Sequence, residues 1–334
     1  MEKNVYILAI ESSCDETSCA IVLNGRKVLS NIISSQISEH EKYGGVVPEI
    51  ASRMHIEAIS NVVDKAIKDA GITVKDISAV AVTKGPGLVG ALLVGVSFAK
   101  TFAYMNNIPL LGVHHLEGHI AANYIEHKEL TPPFLALIVS GGHTHLVHVK
   151  DYTKFDIIGR TKDDAIGEAF DKVARVVGLG YPGGPKIDNA AKQGKTTYID
   201  KIPIPKVDGY DFSFSGIKTA IINLNHNSKE KLDIADLSAS FQHRVTEILV
   251  NKAKKALVDL NLNNLVLAGG VSANSYIRSE FDKLKTENIN IYYPSLVLCT
   301  DNAAMIGAQA YYYYINNMFS NYDIDAKPNL PIGI

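Results

Sequence analysis

Two stretches of this chain share one design, and together they constrain its fold more than any other feature. "VYILAIESSCDETSCAIVL" (residues 5–23) and "FLALIVSGGHTHLVHV" (residues 134–149) each carry an apolar strand pattern into a bend of small polar residues and out again as a second strand. Asp15, Glu16, Thr17 and Ser18 occupy the first bend; Ser140, Gly141 and Gly142 occupy the second. Identity between the two is low, so the repeat is one of structure. Behind each hairpin, helical periods such as "PEIASRMHIEAISNVVDKAIKDAG" and "TKDDAIGEAFDKVARVVGLG" alternate with short strands such as "ISAVAVTKG" and "NNLVLAGG". This alternation predicts an α/β fold with parallel pairings and ligands at strand ends. Two lobes are expected, residues 1–131 and 132–334, parted at "KELTPP", with the chain end free to return to the first lobe.

Composition narrows the partners. A chain of 334 residues, 46% hydrophobic and 20% charged, can bury two cores. A net charge of -2 argues against a uniformly basic nucleic-acid coat. It leaves room for a local patch, with Lys252, Lys254 and Lys255 as a candidate against the plainer role of a solvated helix face. Three cysteines (Cys14, Cys19, Cys299) cannot close a paired disulfide set, and without a signal-peptide pattern a reducing, cytoplasmic compartment is expected. The longest apolar run, "GLVGALLVGVSFA", stops at Lys100, short of the roughly 18 residues of a membrane span.

The stretch "VHHLEGHI" (residues 113–120) puts His115 and His119 four apart, on one face of a helix. Two readings stand level: a metal pair, or two buried, hydrogen-bonded histidines. A zinc protease needs its glutamate directly after the first histidine, and Glu117 is one place too late. Asp301 in "LCTDNAAMIGAQA" is either a helix N-cap or a third ligand that would leave open positions on an ion. His143 and His145 alternate on a strand and are expected in ordinary roles. The turns "SGGHT", "YPGGP" and "LAGGVSAN" fit neither the P-loop nor the dinucleotide spelling, yet each could bring backbone amides to a phosphate. Together they point to a bound nucleotide. In "FSFSGIKTA", Ser215 and Lys218 have a nucleophile-like spacing, but the companion motifs of that chemistry are missing.

The chain resembles the bacterial tRNA threonylcarbamoyladenosine transferase family (TsaD, also called Gcp or YgjD) nearly end to end. The stretches that carry the likeness are "IESSCDETSCAI", "YGGVVPEIASRMH", "GPGLVGALLVG", "VHHLEGHIAA", "IVSGGHTHLV", "DDAIGEAFDKVARVVGLGYPGGP", "DFSFSGIKTA", "LAGGVSANSYIR" and "LCTDNAAMIGAQA". Small departures, Ile166 after "DDA" and Ser295 after Pro294, lie beside the motifs. The resemblance implies a two-lobed actin/Hsp70/sugar-kinase-like fold with a ligand cleft between lobes. It implies one divalent metal, iron or zinc, on His115, His119 and Asp301, with Asp301 reaching it across the cleft. It implies an adenylate pocket of Ile138, Val139, Ser140, Gly141, Gly142, Asp171, Gly184, Asp188 and Asn274. That pocket would take threonylcarbamoyl-AMP, or ATP, ADP or AMP. Asp15 or Glu16 would assist proton removal. The implied partners are tRNA, a TsaB-like paralogue seated on the helix around Gly90–Ser97, a TsaE-like ATPase and an upstream threonylcarbamoyl-AMP synthase, with no membrane. The competing expectations are a metal-dependent glycoprotein endopeptidase, an ATPase or kinase on the same fold, and a non-catalytic scaffold.

Overall fold

The computed structural model describes residues 4–228 and 232–333. The chain divides into two compact units. The first holds residues 1–131, 151–154 and 294–334; the second holds 132–150 and 155–293.

The first unit is built on β1 (Tyr6–Glu11), β2 (Glu16–Leu23), β3 (Lys27–Ser35), β4 (Ala79–Gly85) and β5 (Leu110–His114), in the order β3-β2-β1-β4-β5. The hairpin strands β1 and β2 are antiparallel, whereas β4 and β5 join as parallel strands. Parallel neighbours need helical crossovers, and helices then cover the sheet. The alternation of β1 shows it. Leu8 and Ile10 enter a core with Ile59, Val62 and Val96 of the helices Pro48–Ala70 and Val89–Asn106. Ile7 and Ala9 enter a second core with Ala122 and Met305, from the helices His115–Glu126 and Ala303–Ile315. Both faces of the strand are dry, which is why "YILAI" reads as a continuous apolar run.

The second unit repeats the plan. β6 (Phe134–Val139), β7 (Thr144–Asp151), β8 (Lys154–Arg160), β9 (Asn264–Ala268) and β10 (Asn290–Tyr292) stand in the order β10-β9-β6-β7-β8. Counted from the hairpin, this is the order of the first sheet, with β6 antiparallel to β7 and parallel to β9. Leu135, Leu137 and Val139 pack on Phe170 of helix Ile166–Val176 and on Phe241 of helix Ile234–Leu260. The two phenylalanine rings meet edge to face at 5.0 Å, and each buried side chain of this size contributes about 2–3 kcal/mol of transfer free energy.

Helix ends follow local chemistry. Pro48 opens its helix at a position that needs no amide donor, and Gly71 closes it in the left-handed region at φ 68°. The helix expected from Thr161 onward starts later, at Ile166, because Asp163 and Asp164 are occupied elsewhere. Asp163 accepts from the Phe214 amide (2.8 Å), the Ser215 amide (3.2 Å) and the hydroxyls of Ser213 (2.5 Å) and Ser215 (2.8 Å). Asp164 takes Lys218 at 2.5 Å and Lys172 at 2.9 Å. The Ser–Lys spacing therefore serves a capped helix start at Ser215.

Helix Val89–Asn106 spans 18 residues at a mean hydropathy of 1.2, long and apolar enough by those measures to cross a membrane. It corrects the shorter run read from the sequence. Its Ala91, Leu92, Val96, Ala99 and Ala103 are buried in the first unit, as in a packed core helix. Gly95 also faces inward: a Cβ there would lie 2.3 Å from Ser12 Oγ. The outer side of this helix and of Pro48–Ala70 forms an apolar groove of about 560 Å³, lined by Ile56, Gly90, Leu93, Ser97 and Phe98.

Candidate active site

The candidate metal ligands come together inside the first unit. β5 runs buried to His114, whose ring caps the helix His115–Glu126: its Nδ1 accepts from the Leu116 amide at 3.1 Å and its Nε2 donates to the Leu330 carbonyl at 3.0 Å. The next residue, His115, and His119 one turn on then share a face, ring centroids 4.7 Å apart. Asp301 Oδ1 lies 3.5 Å from His115 Nε2 and 3.1 Å from His119 Nε2. Asp301 is not an N-cap. Asn302 fills that role for Ala303–Ile315, accepting from the Met305 amide at 3.1 Å, and so leaves the aspartate to the histidines. Nor does Asp301 cross a cleft to reach them, since all three residues belong to one unit.

The donor set fits a metal ion. One ligand atom from each of the three residues falls within 4.8 Å of the others. His119 is 1% exposed, yet neither ring nitrogen makes a hydrogen bond among the described residues. Its Nε2 sits near Asp301 without hydrogen-bonding geometry, although the separation is short. A buried polar group left so costs about 1–3 kcal/mol, which an ion would remove.

Glu117 takes no part. Its buried carboxylate accepts the Tyr313 hydroxyl, and burial, opposed by that bond and the Lys84 charge, pushes it up to about 7. An H-E-x-x-H base would have to face the ion; this glutamate faces Tyr313.

Behind His115 stands Glu11, a residue that no sequence motif marked as functional. Fully buried at the end of β1, it accepts from the Ser13 amide (2.6 Å), the Thr83 hydroxyl (2.6 Å) and His115 Nδ1 (3.1 Å). Burial alone would raise its carboxyl; the His115 charge and bond hold it below the ordinary range. For His115, burial is outweighed by Asp301 and Glu11, and its value rises to about 9. The available signal was an acid closing an otherwise apolar strand.

Asp15 and Glu16 sit buried on the same bend. His55 braces it, donating from Nε2 to the Cys14 carbonyl at 2.9 Å and accepting the Thr17 hydroxyl on Nδ1 at 2.7 Å. Glu16 accepts from Ser35 at 3.1 Å. Burial, then the charges of Asp15 and Asp301, push Glu16 up to about 10.

The residues expected around an adenylate lie in the second unit. Ile138 and Val139 end β6, and the bend closes with the Ser140 amide on the His143 carbonyl (2.9 Å) and the His143 amide on Ser140 Oγ (3.1 Å). Gly141 and Gly142 have open space where a Cβ would stand. Helix Ile166–Val176 presses its first turn on this bend: a Cβ on Gly167 would lie 2.6 Å from the Ser140 carbonyl oxygen. The turn after β9 also passes close, since a Cβ on Gly269 (φ 87°) would lie 2.5 Å from the Val139 carbonyl oxygen.

Four further residues meet around helix Gly183–Ala191. Asp171 accepts the Gly183 amide at 2.7 Å, and burial raises its carboxyl. Gly184 and Asp188 share one helix face, and Asp188 accepts from the Ser275 amide (3.1 Å) and hydroxyl (3.0 Å). Asn274 caps the helix Ser275–Asp282 through the Ile277 amide (2.9 Å) and donates to Gln242 at 2.7 Å. These side chains therefore also hold the fold.

Other candidates have structural partners or settings of their own. His143 and His145 lie 5.6 Å apart, and burial, then the Arg160 charge, lowers His145. Lys252 donates to the Val207 and Gly209 carbonyls, Lys254 pairs with Glu287 and Lys255 with Asp259. Cys14, Cys19 and Cys299 remain thiols, none of them in a disulfide.

The family model described as "TsaD: tRNA N6-adenosine threonylcarbamoyltransferase" matches residues 27–308. A protein of Clostridium kluyveri named tRNA N6-adenosine threonylcarbamoyltransferase is 54% identical over 342 residues, covering 100% of this chain and 99% of its own. A Clostridioides difficile protein of the same name is 55% identical over 338 residues, covering 99% of each. Among solved structures, full-length HypF in its phosphate- and nucleotide-bound form aligns with a TM-score of 0.64 at 19% identity, over 93% of this chain and 56% of that one. Component A of the Acidaminococcus fermentans (R)-2-hydroxyglutaryl-CoA dehydratase aligns at 0.56 and 13%, over 94% and 99%. These two carry the fold alone, an actin/Hsp70/sugar-kinase-like α/β architecture. With its family model, its relatives and its repeated sheets in agreement, the chain belongs to the TsaD family of tRNA N6-adenosine threonylcarbamoyltransferases and is a tRNA-modifying transferase.

Proposed function

We propose that this chain transfers the threonylcarbamoyl group of threonylcarbamoyl-AMP to the N6 amine of adenosine 37, in tRNAs that read codons starting with A. The donor is a mixed anhydride. A C–N bond forms at its carbonyl carbon, the bond from that carbon to the phosphate-linked oxygen breaks, AMP leaves, and the amine gives up a proton. Such a reaction needs placement and charge stabilisation more than a protein nucleophile. A divalent iron or zinc ion, one per chain on His115, His119 and Asp301, would supply Lewis-acid charge and open coordination positions. The bend Ile138–Gly142, with Asp171, Gly184, Asp188 and Asn274, is assigned to the adenylate: the open sides of Gly141 and Gly142 suit close approach of a phosphate, and the carboxylates suit hydroxyl groups. Asp15 and Glu16, buried together on the first bend, are the candidates for the base.

The observation that carries this assignment is the buried imidazole of His119, which makes no hydrogen bond among the described residues and stands beside Asp301 in a TsaD-family chain. The test is reconstituted transfer from threonylcarbamoyl-AMP to unmodified tRNA. Modified adenosine should appear only when this chain is present. Metal-dependent peptide hydrolysis, or rapid ATP turnover without tRNA and partners, would favour the endopeptidase or kinase alternatives.

The assignment places the chain in the cytoplasm, downstream of a threonylcarbamoyl-AMP synthase and beside a TsaE-like ATPase. A TsaB-like paralogue is assigned to the apolar groove of Ile56, Leu93 and Phe98. Leu93, 42% exposed, tests that surface where the inward Gly95 cannot. Leu93→Asp should weaken partner binding by tenfold or more, about 1.4 kcal/mol; undiminished binding removes the assignment.

A further inference from the structure

The two metal histidines are held differently. His119 has no hydrogen-bonding partner on either nitrogen among the described residues. His115 has a built one. Its Nδ1 lies 3.1 Å from Glu11 Oε2 and 3.2 Å from Ser13 Oγ. Glu11 is itself fixed from both ends: the Ser13 amide donates to Oε1 at 2.6 Å and the Thr83 hydroxyl donates to Oε2 at 2.6 Å. All of these groups are buried.

We infer that Glu11 is a positioning residue for the metal: through a hydrogen bond from His115 Nδ1 it fixes that ring's orientation and tautomer, leaving Nε2 as the nitrogen available to an ion shared with His119 and Asp301. The inference rests on the metal assignment above. A carboxylate is acceptor-only, so the hydrogen must sit on His115 Nδ1. The imidazole then cannot carry it on Nε2 and still be neutral. Carboxylates behind metal-bound histidines act in this way generally, and their loss costs roughly 10–100-fold in metal affinity. Thr83 extends the chain of bonds. Its hydroxyl lies on β4, a separate strand of the same sheet, so Glu11 is clamped by the sheet and not only by its own bend.

An amide at this position would behave differently for a stated reason. The Ser13 amide can only donate, so a glutamine side chain would turn its oxygen there and its NH2 group toward Thr83 and His115. Thr83 can rotate to accept. His115 could accept on Nδ1 only by moving its hydrogen to Nε2, the nitrogen the metal needs.

The test is titration of the full-length apo chain with Co²⁺, following affinity and the visible absorption bands. Wild-type protein should bind one ion. Glu11→Gln should bind it roughly 10–100-fold more weakly, with shifted bands. Thr83→Val should lose affinity severalfold in the same direction, and it decides the matter if Glu11→Gln does not fold. Wild-type affinity and bands in a folded Glu11→Gln, or wild-type affinity in Thr83→Val where that variant decides, overturn the inference while leaving the metal site intact. A wild-type chain that binds no Co²⁺ removes the metal assignment itself, and this inference with it.

Discussion

The two hairpin bends differ in what they offer at the same place in the same topology. The first carries Glu11, Asp15 and Glu16, all buried, braced by His55 and Thr83 and drawn up to a histidine–aspartate set. The second carries Ser140, Gly141 and Gly142, with open space beside the glycines and Gly167 pressed beneath. One bend is rich in carboxylate; the other is built of serine and glycine. A duplicated strand–bend–strand frame thus carries different chemistry in its two bends: acids beside the candidate metal ligands in one unit, a small-residue turn in the other.

The largest effect that would break this comparison is loss of the ion. Chelation, or His119→Ala, should reduce transfer by about 100-fold or more, as removal of a charge-stabilising group does; rates within threefold of wild type would place the ion outside the reaction. Next, removing the base, by Asp15→Asn or by Glu16→Gln, should cost on the order of 10²–10⁴ in turnover, and the variant of the other residue far less. Equal losses would show that the bend acts as a unit. In the second unit, Gly167→Val would push side-chain atoms into the Ser140 carbonyl and should lower stability by about 1–3 kcal/mol, read by denaturant unfolding, and loosen AMP binding.

The smallest effect concerns pH. Burial would raise the Asp163 carboxyl, but the bonds from Ser213, Phe214 and Ser215 hold it below its ordinary 3.8. A depressed carboxylate contributes its stability above the ordinary value and loses it as pH falls through the folded one. Asp163→Asn should therefore be less stable than wild type at neutral pH, with the gap closing as pH drops below 3.8. A gap independent of pH would contradict the sign.

Much of the fold was legible because apolar period and turn chemistry agree along the chain. β1, β6 and the long helices announce themselves. The third strands, β3 and β8, were less visible: they are half-exposed, and "KVLSNIISS" mixes polar with apolar residues. The histidine pair was legible from spacing, but Asp301 stood between an N-cap and a third ligand, since Asp and Asn stand side by side and only the structure says which caps the helix. The roles of Glu11 and Thr83 were not legible, although Glu11 stood out as an acid closing an apolar strand. Their meaning is a contact between strands that the sequence keeps far apart.

The division of labour between the bends is tested most directly by one crossed measurement: Co²⁺ and AMP affinities, determined separately, for wild type, His119→Ala and Gly167→Ala. His119→Ala should lose Co²⁺ and keep AMP within about threefold, while Gly167→Ala should lose AMP at least tenfold and keep Co²⁺, tenfold being about 1.4 kcal/mol. Loss of both ligands in both folded variants would contradict it.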